Sequence, residues 1–496
     1  MGDYGGAARF YTEALEWLPD ESTLYCNRSA AFFQLGEMKK ALRDAFKAAK
    51  ISPRYLKAHY RCALAQSELG NHKKALAEMR RAQDLSLSSG ECGQALAKIE
   101  GACSRAHLHR NLTGHSDRVQ DLAWRPLSSS GAGSGHCLRP LLATAGLDGA
   151  VKIWCADTGI LLHSFGDHQD KVTWVMWTSD GLDLVSLSVD RSVRVWKVSG
   201  DGGKAECARV LLGHQGRATS ACFAVGGGGE RLLVTSSTDA TARVWDLSSP
   251  SGTAGTVLRG HGEMVTWVAA SPGGRRIATA SADKTFKVWD LETKECAQTV
   301  DWDSGAVTRC AFVSLGPERS EILVTCHFDV KRERSRILGW SMDGARGWAD
   351  GKLVAHVMHY DDFGGKVTCL DWAEVGDGEG SVMLAAGCGD GAVRVMDLSC
   401  DFTLYDLVDQ HLPSVGTSAS VTALAFSPGG AMLATAGVDG RIHIWQGEDG
   451  AHLMTFVCGG HSERVACLRW SDDGGRLASG SGDGAAKIWD TGSLLL

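Results

Sequence analysis

Apolar and polar positions follow two different periods along this chain of 496 residues. In the first hundred residues the period is helical: Tyr11, Ala14, Leu15 and Leu18 stand at i, i+3, i+4 and i+7, one face of a helix. Beyond residue 107 the period is two. Leu477–Asp490 reads LASGSGDGAAKIWD, Ile277–Asp290 reads IATASADKTFKVWD, Leu433–Gln446 reads LATAGVDGRIHIWQ, and Leu142–Cys155 reads LATAGLDGAVKIWC. Each is a run of small and β-branched residues, a tight Asp-centred turn, then alternation that ends around a Trp. That pattern predicts two antiparallel strands joined by a short turn. One hairpin buries too little apolar surface to stand alone, so the repetition itself must supply the core.

The helical segment repeats every 34 residues. Ala7, Ala41 and Ala75 share that spacing, as do Ala14, Ala48 and Ala82, and Pro19 and Pro53. Small residues at fixed places let paired helices approach closely, and Pro ends the second helix of each pair because it cannot continue the hydrogen-bond ladder. Gly36 and Gly70 stand at the turns within each pair. With these marks, residues 2–90 resemble tetratricopeptide (TPR) repeats, and residues 92–106 read as a capping helix. LYCNRSAA at Leu24–Ala31 and KAHYR at Lys57–Arg61 resemble the subclass whose groove grips the terminal carboxylates of Hsp70 or Hsp90. That resemblance implies Asn27, Lys57 and Arg61 as clamp residues. Lys57 and Arg61 are i, i+4 on one helix, so both cations face the same way and can make charge-assisted hydrogen bonds to a carboxylate. The plain alternative is a solvated basic helix face.

The subclass draws a further Lys and Asn from the first helix of its first repeat. Met1 falls near the end of that helix, so a truncated first repeat is expected. Two missing contacts to charged groups weaken peptide binding by roughly 3–6 kcal/mol. Either the chain starts further upstream or the clamp is degenerate.

From Gly114 onward the repeat is 42–56 residues long. Gly-His pairs stand at Gly114-His115, Gly213-His214, Gly260-His261 and Gly460-His461, with Asp167-His168 as a variant. A Ser or Thr, an Asp four residues on and a Trp six further recur after them. This spacing resembles the WD40 family over residues 107–490. The resemblance implies a β-propeller in which these residues join in a hydrogen-bonded network inside each blade. The sets are His115, Thr144, Asp148 and Trp154; His168, Ser186, Asp190 and Trp196; His214, Thr235, Asp239 and Trp245; His261, Thr279, Asp283 and Trp289; and His461, Ser479, Asp483 and Trp489. A buried Asp is costly unless several donors satisfy it, and the His and the turn supply them. His, Asp and Ser also compose a catalytic triad, but a set that recurs repeat after repeat is structural, since an active site occurs once.

Eight repeats are counted. The fifth has Thr325 and Asp329, then an insertion, Val330 to Ser335, before Trp340; the sixth has Ala386 and Met396 where Ser/Thr and Trp are expected. Repeats five to seven lack the paired His, so the particular binding surface is expected there. Leu108–Leu112 reads as a strand, and in this family such a piece completes the last blade, sealing the ring and protecting its edges. The expected architecture is an α + β multidomain chain: an N-terminal α-helical TPR solenoid with a truncated first repeat over residues 1–106, and an all-β eight-bladed WD40 propeller over 107–496. Seven blades with a stray repeat is the alternative. Leu147, Val189, Phe328 and Val438, each just before a turn Asp, resemble rim positions that contact partners.

Composition narrows the function. A net charge of −7 and a pI of 6.2 argue against a general nucleic-acid binder. None of the 16 Cys forms a C-x-x-C pair, so no metal or thiol-redox motif is expected. There is no P-loop, G-x-S-x-G or H-E-x-x-H. Gly131–Gly135 and Gly226–Gly229 read as loops between strands, and the basic run Lys331–Arg336 as a solvated hairpin loop. No signal peptide or long apolar run is seen, which points to a cytoplasmic protein, with nuclear or ciliary placement as alternatives. The expectation is a non-enzymatic adaptor without cofactor or membrane partner, one arm holding a chaperone tail or other peptide and the propeller a second protein. A structural subunit of a ciliary, RNA-processing or ubiquitin-ligase assembly is the alternative.

Overall fold

The structure is a computed structural model. It describes residues 4–69, 71–85, 108–127, 139–225, 231–248, 255–301, 305–315, 320–341, 348–349, 352–353, 356–375, 381–398, 402–407, 420–456 and 460–492. Gly70, the capping segment 92–106 and the glycine runs 131–135 and 226–229 lie outside the described residues. The chain divides into two units, Met1–Leu108 with Met454–Gly460, and His109–Leu453 with His461–Leu496.

The first unit carries helices α1 (Tyr4–Trp17), α2 (Ser22–Gln34), α3 (Met38–Ile51), α4 (Leu56–Glu68) and α5 (His72–Asp84). α2 packs on α3, and α4 on α5. Ala41, Ala48, Ala75 and Ala82 are fully buried, as close packing of paired helices requires. Gly36 takes φ +77° at the turn from α2 to α3, a left-handed conformation that ends a helix at little steric cost. The 34-residue period is also bonded. The Tyr25 hydroxyl donates to the Pro19 carbonyl at 3.0 Å, and 34 residues on the His59 Nε2 meets the Pro53 carbonyl at 2.9 Å. Each ties the first helix of a pair to the turn that precedes it.

In the second unit, strands alternate every two residues as the sequence predicts and pair into eight four-stranded antiparallel sheets. The first strand of each is Val119–Trp124, Val172–Trp177, Ala218–Val225, Val265–Ala270, Ala306–Leu315, Val367–Val375, Val421–Phe426 and Val465–Trp470, in blades 1 to 8. The inner strands of successive blades neighbour one another from blade 6 through 7 and 8 to 1 and on to 5. Blades 5 and 6 join through a shared core that includes Val324, Cys326, Val367 and Leu384. Strand Leu108–Thr113 pairs with the last strand, Ala485–Asp490, and so completes blade 8. The circle is closed by the start of the propeller chain, and no blade is left with three strands.

The apolar cores lie between blades. Leu141, Ala143 and Val151 of blade 1 pack with Val172, Leu184 and Trp196 of blade 2, and the same arrangement joins blades 2 and 3 and blades 3 and 4. Every blade therefore completes its neighbour's core, which is why a single hairpin has no independent stability.

A recurrent β-bulge opens each inner strand and turns one residue toward the next blade. In blades 3, 4, 6 and 7 that residue is Thr219, Thr266, Thr368 or Thr422. Its hydroxyl reaches the carbonyl of Val265, Val307, Val421 or Val465 in the following blade. Gln120 and Ala466 hold this place in blades 1 and 8.

In the turn of the central hairpin, the residue after the Asp adopts positive φ. Glycine fills it at Gly149, Gly440 and Gly484, but Ala240 sits there at φ +64°. Ala240→Gly is expected to stabilise the propeller by about 0.5–1 kcal/mol, because the left-handed conformation strains a Cβ by more than glycine's extra chain entropy costs. A melting temperature that falls on this change would contradict it.

Candidate functional site

Three sets of residues were singled out in the sequence. The first, the repeated polar sets, converges in the structure. In blade 3, the Trp245 indole N–H donates to the Thr235 Oγ1 at 2.8 Å, Thr235 meets the His214 Nε2 at 2.9 Å, and the His214 Nδ1 meets the Asp239 Oδ2 at 2.9 Å. The same chain runs through Trp154–Thr144–His115–Asp148, Trp196–Ser186–His168–Asp190, Trp289–Thr279–His261–Asp283 and Trp489–Ser479–His461–Asp483. The donor order fixes the imidazole. A hydroxyl that accepts from Trp gives its own proton to the His Nε2, which leaves Nδ1–H to donate to the Asp. That is the neutral ring, in one tautomer. Burial depresses all five His below their ordinary value, and the paired Asp pulls the other way.

Each Asp closes its own turn. Asp239 accepts the backbone N–H of Gln215 and of Thr241 and the Thr241 hydroxyl. Burial opposes its charge, but these bonds and His214 outweigh it and hold the carboxyl at about 2. Asp190, Asp283 and Asp483 are held at about 2 by the same balance. The polar atoms of the set bond one another and the turn, and so tie each blade together.

Blade 5 builds a shortened version that the sequence pattern did not disclose. His327, two residues after Thr325 on the same strand, meets the Thr325 Oγ1 at 2.9 Å, and Trp340 donates to that Oγ1 at 2.8 Å. The signal was present as a Thr-x-His at i, i+2, which puts both side chains on one face of the strand. Burial, with Arg336 nearby, pushes His327 down to about 4. In blade 6 the place of Trp is filled by Met396, fully buried with Leu384 and Leu398 and without a polar partner to satisfy. In blade 7 Trp445 donates to Thr435 at 2.9 Å, and His443 stacks on the Trp445 ring at 5.7 Å.

The second set is the rim. Leu147, Val189 and Val438 stand at one place in the repeat, each with its N–H bonded to the carbonyl just before the inner strand, of Arg118, Lys171 or Ser420. All three are half-buried. Phe328 differs: it lies within strand Ser320–Asp329, paired with Ser335. The insertion in repeat five extends this hairpin rather than forming a loop. Of the basic run, Arg334 and Arg336 are on strand Arg334–Ser341, and only residues 331–333 make the turn.

The third set lies on the helical unit. α2 and α4, which carry Asn27 and the Lys57/Arg61 pair, pack against each other. Asn27 and Lys57 are exposed and Arg61 is half-buried. Both cations act on the buried Cys26 thiol next to Asn27, opposing the burial that raises it. The α2 side chain that both cations act on is Cys26; Asn27, one residue on, is exposed on another face of the helix. Neither Lys57 nor Arg61 meets a carboxylate among the described residues. Arg28 is held by Asp44 in two bonds of 2.6 and 3.0 Å, and Arg81 by Glu78 at 2.9 Å, whereas Arg9, Lys39, Arg43 and Lys50, like Lys57 and Arg61, meet no carboxylate among the described residues. Among the described residues no group of three His, Cys, Asp or Glu stands ready to hold a metal ion, and no helix is long and apolar enough to cross a membrane.

Comparison with known proteins separates the two units. The family model "WD domain, G-beta repeat" matches residues 106–155, 159–197, 205–246, 252–290, 410–446 and 452–490. Blades 5 and 6 fall in the unmatched interval, where the repeat sequence is most altered. WD repeat-containing protein 37 of Mus musculus is 34% identical over 120 residues, 24% of this chain and 23% of that protein. Tetratricopeptide repeat protein 28 of Homo sapiens is 43% identical over 76 residues, 15% of this chain. The chain spans only 3% of that relative's length. A crystal structure of the computationally designed Ika8 protein superposes with a TM-score of 0.55 and 25% identity, over 77% of this chain and 99% of its own.

Proposed function

We propose that this chain, an eight-bladed propeller of WD40 repeats and a helical-repeat arm, is a non-enzymatic protein-interaction scaffold. The propeller holds one protein, and the arm holds an acidic C-terminal peptide of the kind that ends Hsp70 and Hsp90. One observation carries the reading of the arm: Lys57 and Arg61 stand one turn apart on α4, and among the described residues neither meets a carboxylate. Two such cations suit a terminal carboxylate and a neighbouring acidic side chain. The similarity of this segment to a tetratricopeptide repeat protein supports the helical-repeat reading. A cytoplasmic location belongs to the same proposal, since those tails are presented there.

The test is titration of the full chain with an acidic C-terminal chaperone peptide. Lys57→Ala and Arg61→Ala are each expected to weaken binding by about 1.5–3 kcal/mol, the worth of a hydrogen bond to a charged group. That is about ten- to a hundredfold in Kd. Equal affinity for the native chain and both variants excludes the clamp and leaves the propeller as the binding element.

A further inference from the structure

The channel through the propeller holds a cation without a counter-charge. The inner strands enclose a cavity of about 900 Å³, within the size range of small-molecule sites. Its charged lining consists of Asp121, Arg309, Asp371, Glu374 and Arg469. Arg469 lies 3.8 Å from Asp121 and also acts on Asp371, so two carboxylates answer it. Both are anchored to backbone: Asp121 accepts the Val175 N–H at 3.1 Å, and Asp371 the Phe426 N–H at 2.8 Å. Glu374 is exposed.

Arg309 has no such partner. Its guanidinium lies 4.3 Å from the centroid of the Trp267 ring and donates one N–H to the Thr368 carbonyl at 2.8 Å. It pairs with no carboxylate among the described residues. The charged group that acts on it is the like charge of Arg469. Burial lowers its pKa, yet a guanidinium stays protonated in proteins. Arg309 is half-buried, and its remaining donors open toward the channel, where water rather than a protein group meets them. A second unfilled group lines the same cavity: the Thr173 Oγ1 is buried without a partner. Beside them, Trp174 meets Trp267 edge-on at 5.1 Å and presents an apolar wall.

We propose that the propeller channel binds a small organic oxyanion, its carboxylate or phosphate oxygens on the free edge of Arg309 and its apolar body along Trp174. The planar fork of the guanidinium suits either oxyanion. The tryptophan wall selects an organic ligand over a bare ion, which would leave the apolar lining wet. The inference is independent of the scaffold reading, since nothing in it involves the helical arm or a protein partner.

Calorimetric titration of the full chain with benzoate, phenyl phosphate and inorganic phosphate tests it. At least one aryl anion is expected to bind, and inorganic phosphate more weakly; benzoate against phenyl phosphate then tells carboxylate from phosphate. Arg309→Gln is expected to weaken binding about tenfold or more, the worth of a charge-assisted bond. Arg309→Lys keeps the charge while losing the fork, so it should fold like the native chain and still lose affinity. Arg476→Gln, outside the channel, should bind as the native chain does. The proposal is overturned by a native chain that takes up none of the three probes, or by Arg309→Lys and Arg309→Gln binding an aryl anion as tightly as native.

Discussion

Replacing Trp245 with Ala is expected to cost the propeller about 3–5 kcal/mol, the usual loss when a large aromatic is removed from a packed core. The side chain is completely buried. It lies between two blades, packed with Val185, Leu187 and Val195 of blade 2 and Leu233 of blade 3. It is also the first donor of the polar chain through Thr235, His214 and Asp239. The substitution opens a cavity at a joint of the ring and leaves the Thr235 hydroxyl without its donor. The loss is comparable to the whole stability of many domains, so Trp245→Ala should unfold near working temperature or fail to accumulate. Trp245→Phe separates the terms. It keeps most of the packing and removes the N–H, and should cost about 1–3 kcal/mol for the unfilled acceptor and the smaller ring. Chemical denaturation of the full chain, followed by near-UV circular dichroism, reads both. A Trp245→Ala protein that melts within a degree or two of native would mean that blades 2 and 3 do not depend on this joint.

That joint is legible in the sequence because its signal is repeated. Thr or Ser, Asp and Trp at constant spacing, with a His ahead of them, mark a hairpin whose polar residues bond one another. Five hairpins carry the full set, and three altered repeats complete the ring with them. Closure by Leu108–Thr113 was legible for the same reason, since an unpaired last hairpin implies a strand supplied from elsewhere. What escaped the sequence depends on contacts between repeats or on single positions. Thr219, Thr266, Thr368 and Thr422 clasp the next blade through a bulge, and no local pattern announces a bulge or the carbonyl it faces. Arg125 is a fully buried arginine whose guanidinium serves the carbonyls of Gly181, Ser199 and Gly200 in the following blade. In sequence it is one arginine after a strand. His327 was overlooked because it takes the role of a residue normally placed some twenty positions earlier. Arg309 carries no motif at all; only the ring brings it to Trp267 and leaves it without a carboxylate. On the helical unit, the period located the helices and the pair on α4, while the packing of α2 against α4 is a property of the fold.

Acid should dismantle the propeller in two stages. The five His of the polar sets have folded pKa values below their unfolded value near 6.5, because burial disfavours the charged ring. The unfolded chain therefore takes up protons first. Stability is fully present above about pH 6.5 and falls as the pH drops below it. His327 adds the clearest single contribution: it is depressed to about 4, which corresponds to about 3 kcal/mol lost between pH 6.5 and 4. The carboxylates act in the same sense at lower pH. Asp190, Asp239, Asp283 and Asp483 are held at about 2 in the folded chain against about 3.9 when unfolded, so each gives up at most about 2 kcal/mol as the pH falls through that window, less than the full shift because solvent screens these partly exposed carboxyls. The melting temperature should be level above pH 7, decline from about 6.5, and drop more steeply below about 4. His327→Gln keeps an acceptor for Thr325 but does not titrate, so the decline between pH 6.5 and 4 should shrink by about 3 kcal/mol in that variant while the steep phase remains. A native chain whose stability is level from pH 7 to 5, or a His327→Gln profile that overlays the native one, would show that these rings are not held neutral by the blades around them.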